Sequence, residues 1–174
     1  MGFVNQVSQT QFLDQNIKTL KVLCTQCIQE NGEITIPAPS GVTLDVTTGQ
    51  LNVPVTLELA GSLQIRNITV LQGKVVNEGI VPVRLLVDGQ EIIKLLEIPF
   101  QGIVECSGVE PGDNIQKHDL QVEGLIVSPV RLITGDLACL TLNLILKAIV
   151  KACIVISRET ILKINAANPF CTCP

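Results

Sequence analysis

The sequence predicts an all-β fold: an antiparallel, jelly-roll-like β-sandwich with an arm at each end. Three observations carry this reading. The stretch Leu137–Ile156 alternates apolar and wetter positions at period two, as a strand with one buried face does. The chain is 47% hydrophobic but holds four Phe, no Tyr and no Trp, so its core is built of Val, Ile and Leu. Val and Ile are β-branched and favour sheet. Turn signals recur about every 8–12 residues, as in sandwiches and barrels.

Within the long stretch, Leu140, Leu142, Leu144, Leu146, Ala148, Val150, Ala152, Ile154 and Ile156 share one parity. Asn143, Lys147, Lys151 and Cys153 lie on the other. A membrane helix needs about 20 residues, which fits the length, but each Lys near a bilayer centre costs about 2.5–3.5 kcal/mol. A soluble helix would group Asn143, Lys147 and Lys151 on one face, but the Ile and Val content opposes it. Strands usually span about 3–10 residues, so this one is expected to bend, bulge or pass between two sheets.

The other elements follow in chain order. Residues 1–31 read as an N-terminal arm, extended or a short helix, with Val7, Phe12, Leu13, Ile17, Leu20 and Leu23 loosely spaced. The arm ends in Cys24-Thr25-Gln26-Cys27 and then Asn31-Gly32, a turn signal. Residues 32–164 read as the β domain. Ile34 and Ile36 share a face, and Val42, Leu44 and Val46 alternate up to a turn at Thr48-Gly49. Val53, Val55, Leu57 and Leu59 follow, and Pro54 puts the start of that strand at an edge. Leu63 and Ile65 have one parity, Ile68 and Val70 the other, so a bulge at Arg66-Asn67 is expected.

Gly73 to Glu78 reads as a short strand and turn. Val81, Val83, Leu85 and Val87 then lead into Asp88-Gly89 and a second run from Gln90 to Glu97. Asp-Gly between two such runs marks a hairpin, because a type I′ turn needs positive φ at both central residues. Next come Ile98-Pro99-Phe100, a strand through Cys106 and a turn over Gly108–Asp113. A strand from Leu120 passes Ser128-Pro129 to Ile133, and Thr134-Gly135-Asp136 turns into the long stretch. Beyond Ile156 a polar Ser157-Arg158-Glu159-Thr160 precedes a short strand, Ile161 to Ile164. Residues 165–174 form a C-terminal tail holding Cys171-Thr172-Cys173.

Composition excludes several functions. The net charge is −4 with no run of like charges, whereas nucleic-acid binding needs a basic patch and single strands need aromatic stacking platforms. Met1 to Thr10 lacks a basic region followed by an apolar core, so no secretion signal is expected. Seven cysteines conflict with that, because disulfides persist in oxidising compartments. The odd count leaves at least one thiol free or bonded between chains.

No nucleophile–base set, phosphate-cradling loop or paired carboxylates emerge, so no catalytic residue, cofactor or enzymatic activity is expected. His118, beside Asp119, reads as an exposed loop histidine rather than a general base. Cys139 and Cys153 share the wetter face of the long stretch. In a straight strand they would stand roughly 46 Å apart at about 3.3 Å per residue, against the roughly 7 Å a disulfide allows. Each is therefore open to an arm cysteine of its own or a neighbouring chain. Three readings of Cys24, Cys27, Cys106, Cys139, Cys153, Cys171 and Cys173 stay open. They form disulfides; or Cys24, Cys27, Cys171 and Cys173 hold zinc, with Cys-x-Cys tighter than the usual spacing; or they stay reduced as small apolar side chains.

Ile98-Pro99-Phe100, then Gly108 with Pro111-Gly112-Asp113, then the alternating strand pair ending at Ile156 form a recognisable set. On these residues the stretch from about Leu59 to Ile156 resembles the SPOCS domain of spore coat and exosporium proteins of endospore-forming bacteria. No LysM module, which some members carry, is present. The cysteine-rich ends look more like the self-assembling proteins of exosporium layers and spore appendages. The resemblance implies a structural subunit of a fibre or lattice on the spore surface, with itself and other spore coat proteins as partners. It also resolves the compartment conflict. Such a protein is made in the mother-cell cytosol without a signal peptide, and its thiols cross-link once the cell lyses. The alternative it leaves is a coat-assembly adaptor or zinc-binding module that does not polymerise.

Overall fold

The computed structural model describes residues 12–134 and 139–167. Seven strands, β1 (Phe12–Pro37), β2 (Val55–Leu59), β3 (Gln64–Leu71), β4 (Lys74–Val87), β5 (Gln90–Glu105), β6 (Asn114–Thr134) and β7 (Cys139–Ala167), pair antiparallel throughout. Their order is β2-β4-β5-β1-β7-β6, with β3 also on β4. β1 meets β5 only at Asn31↔Gln101 and Gly32↔Phe100. At this narrow seam the sheet turns into two layers. Val81, Val83, Leu85, Ile98 and Phe100 of β4 and β5 pack against Leu144, Leu146, Ala148 and Val150 of β7. The expected all-β, sandwich-like fold is the architecture found.

β7 owes its place to its alternation. Leu144, Leu146, Ala148, Val150, Ala152, Ile154 and Ile156 are all fully buried, while Asn143, Lys147 and Lys151 are half-buried. Burying each large aliphatic side chain stabilises the fold by about 1.5–3 kcal/mol, so this face anchors the sandwich. The strand is longer than expected. The polar Ser157–Thr160 does not interrupt it, and the separate strand at Ile161–Ile164 is its continuation. The reason is β1, which lies along β7 from Pro37↔Asn143 to Phe12↔Ala167 with one irregularity at Val22/Cys24. A continuous ladder satisfies the backbone through the polar residues.

The same ladder changes the reading of the N-terminal region. Residues 12–31 are extended, one of the two expected readings, and not helical, but they form a strand paired along β7, and β1 runs on through the expected boundary at 31/32. Asn31-Gly32 is not a turn. A Cβ at Gly32 would lie 2.5 Å from the Pro99 carbonyl oxygen, so glycine is there to let β1 approach β5.

Other expectations divide. The Asp88-Gly89 hairpin forms, with φ of 51° and 74°. The bulge falls between Ile65 and Asn67, and β2 is an edge strand starting just after Pro54. Gly73–Glu78 and Val81–Val87 are one strand, β4, and Gln90–Glu97 runs on through Phe100 as β5. Val42, Leu44 and Val46 are not a strand. Only a Leu44↔Leu51 bridge forms, because the Asp45 carboxylate accepts from the Thr47 and Thr48 N–H groups at 2.7 and 3.3 Å. Such local bonds compete with a ladder. The turn expected at Thr134-Gly135-Asp136 lies largely outside the described residues.

Candidate functional site

β1 carries three side chains at three-residue steps, Cys24, Cys27 and Glu30, and each ties it to a different part of the molecule. Cys24 points inward and is bonded to Cys106, just past the end of β5. Both are buried, 8% and 2% exposed, among Val75, Val104, Val109, Ile154 and Ile156. This bond joins the two layers. Cys27 is exposed, faces Cys153 across the ladder and is bonded to it. This second bond lies within one layer.

Disulfides are therefore present within the chain. Cys24-x-x-Cys27 is split between the two sides of β1, and both sulfurs are engaged, so the four-thiolate zinc set loses two of its ligands. Among the described residues no group of three or more His, Cys, Asp or Glu could hold a metal ion. The backbone of Cys139 begins β7. Its side chain, and all of Cys171 and Cys173, lie outside the described residues.

Glu30 is 2% exposed and accepts a 2.8 Å hydrogen bond from Nδ2 of the fully buried Asn77. Its carboxylate rests on Gly102, where a Cβ would come within 2.1 Å of Oε1. Gly102 pairs with Asn77 on β4, so the glycine opens the room for the acid. Oε2 of Glu30 and Oδ1 of Asn77 are buried without a partner. Burial pushes the Glu30 carboxyl above the usual carboxylate range, and the Asn77 bond opposes this in part. Nothing in the sequence marked this pair. Glu30 sits between Gln29 and Asn31 and reads as a solvated residue.

The Gly108–Asp113 turn is held from β7. Arg158 Nε and Nη2 donate to the Asp113 carboxylate at 2.7 and 2.8 Å, and Nη2 donates to the Gly108 carbonyl at 3.1 Å. Asp113 also accepts from the Glu110 N–H at 2.8 Å. The Arg158 bonds hold the Asp113 carboxyl below the usual carboxylate range. Gly108 and Gly112 supply the positive φ the turn needs, 86° and 101°. Sequence reasoning placed Arg158 in a polar break and missed this role.

His118 is not a loop residue. It lies in β6 opposite Ile154, half-buried, with Nε2 buried and unpartnered. Burial pushes its pKa below the ordinary imidazole value, and the Asp119 charge works against that shift. Asp119 lies opposite Cys153, whose sulfur is in a disulfide.

The last feature is a ribbon. β6 begins at Asn114 opposite Ser157. Among the described residues, β7 pairs only with β1 from residue 158 to 167, and the two strands continue past the sandwich. Their side chains include Ile17, Leu20, Val22, Ile161 and Leu162, between 44% and 71% exposed. Lys18 and Glu159 are bridged at 2.6 Å. A two-stranded ribbon alone is marginally stable, and grouped exposed apolar residues mark interaction surfaces. No protein-family model, curated protein or solved structure matches the chain.

Proposed function

We propose that this chain is a structural subunit that assembles with copies of itself into a fibre or lattice on a spore surface. The observation that carries the reading is the projecting β1–β7 ribbon, with exposed apolar side chains and with backbone edges that are unpaired among the described residues. Such edges template pairing with another chain. The two disulfides favour a part built to last rather than to open, since they fix β1 both within its layer and across the sandwich. The odd number of cysteines leaves at least one thiol per chain for a bond between copies. The spore location, with synthesis in the mother-cell cytosol, rests on the resemblance of Ile98–Phe100 and Gly108–Asp113 to the SPOCS pattern.

Electrophoresis of the purified chain with and without thiol reductant, paired with electron microscopy, tests this. A ladder that collapses on reduction, with filaments or sheets in the images, is the expected result. A monomer under both conditions overturns it and leaves the adaptor reading in place.

A further inference from the structure

We infer that the free edge of β7 at Glu159–Lys163 pairs antiparallel with the same edge of a second copy, about a two-fold axis at Ile161. The inference rests on the self-assembly reading above and names the contact.

The edge is open for a definite length. β6 covers β7 as far as Ser157, and Arg158 is held by the Gly108–Asp113 turn. Among the described residues, no strand lies on the side of β7 away from β1 from Glu159 onward. Two copies related by a two-fold present the same strand to each other, as closed dimers do. Antiparallel pairing then sets each residue opposite the one at equal distance from the axis.

The side chains fit one centre. With Ile161 on the axis, Glu159 of each copy stands opposite Lys163 of the other, and Thr160 stands opposite Leu162. Ile161, 71% exposed, meets its own counterpart. Glu159, Ile161 and Lys163 alternate to the same side of the strand, so one apolar contact is flanked by two opposite-charge pairs. Cross-strand pairs of both kinds stabilise sheets, and like charges directly opposite destabilise them. Centring the axis on Lys163 would set two lysines face to face. Centring it on Glu159 would set two carboxylates face to face and run into the part of the edge that β6 covers. Lys18 already bridges Glu159 from β1, so in the pair each Glu159 sits between two cations. The result is a four-stranded ribbon, β1-β7-β7-β1, closed on its inner edges.

The test is a charge exchange in the full chain, with free thiols blocked by N-ethylmaleimide so that only non-covalent association is read. Self-association is measured by analytical ultracentrifugation for wild type, Glu159→Lys, Lys163→Glu and the double variant. Each single variant turns two attractive pairs into two repulsive ones and should weaken association by about tenfold. The double variant restores opposite charges and should return to within about threefold of wild type. Both sites are exposed, and circular dichroism of each variant confirms the fold. If the four chains associate equally, or the double variant is no better than the singles, this contact is overturned while self-assembly stands. If wild type stays monomeric throughout, this contact is overturned, and the electrophoresis of the unblocked chain decides whether self-assembly falls with it.

Discussion

At the residue scale, two titratable groups, each with a buried polar atom that lacks a partner, give the fold opposite responses to pH. Glu30 holds its proton more tightly folded than unfolded, since burial raises its pKa above 4.5. Its contribution to stability is therefore complete below that value and is lost as pH rises through the folded value. His118 has its pKa pushed below 6.5 in the fold. Its contribution is present above 6.5 and is lost as pH falls through the folded value. Urea midpoints measured from pH 4 to 8 separate the two. Glu30→Gln should be more stable than wild type at pH 8 and flatten the alkaline side of the profile, because it removes a desolvated charge while keeping the carbonyl that accepts from Asn77. His118→Gln should flatten the fall toward acid. A Glu30→Gln chain that unfolds more easily than wild type at pH 8 would show that the charge itself is stabilising.

At the element scale, β1 is the joint of the molecule, and its two disulfides have different work to do. The ladder with β7 already runs from Phe12 to Pro37, so Cys27–Cys153 reinforces a contact that exists without it. β1 and β5 share only two residue pairs, so Cys24–Cys106 strengthens the thin connection between layers. Removing a native disulfide typically costs about 2–5 kcal/mol. Cys24→Ser with Cys106→Ser should fall at the upper end of that range, since it also puts hydroxyls into an apolar cluster. Cys27→Ser with Cys153→Ser should fall at the lower end. Hydrogen exchange should then speed at Asn31, Gly32, Phe100 and Gln101 in the first variant only. Equal losses with unchanged exchange at the seam would refute this division.

At the scale of the whole molecule, one interface between two layers should unfold as a unit. Leu146 is fully buried in it, and Leu146→Ala is expected to cost about 2–5 kcal/mol, with tertiary and secondary signals lost in a single transition. Two separated transitions would mean the layers fold independently. By itself the sequence determined the all-β class, the buried face of Leu144–Ile156, the Asp88-Gly89 hairpin and the bulge after Ile65. Each follows from side-chain parity or from a local φ requirement, and both are properties of neighbours in the chain. Only the tertiary structure decided the rest. Ser157–Thr160 reads as a break until β1 is laid beside it. Gly32 and Gly102 read as a turn and a stray glycine until Pro99 and Glu30 press against them. Glu30, Asn77 and Arg158 look like solvated polar residues until their partners, 47 and 45 positions away, are brought to them. Cysteine pairing belongs to the same class. Distance along a strand excluded a bond between Cys139 and Cys153, but the register of β1 on β7, set by contacts over the whole ladder, chose Cys27 for Cys153.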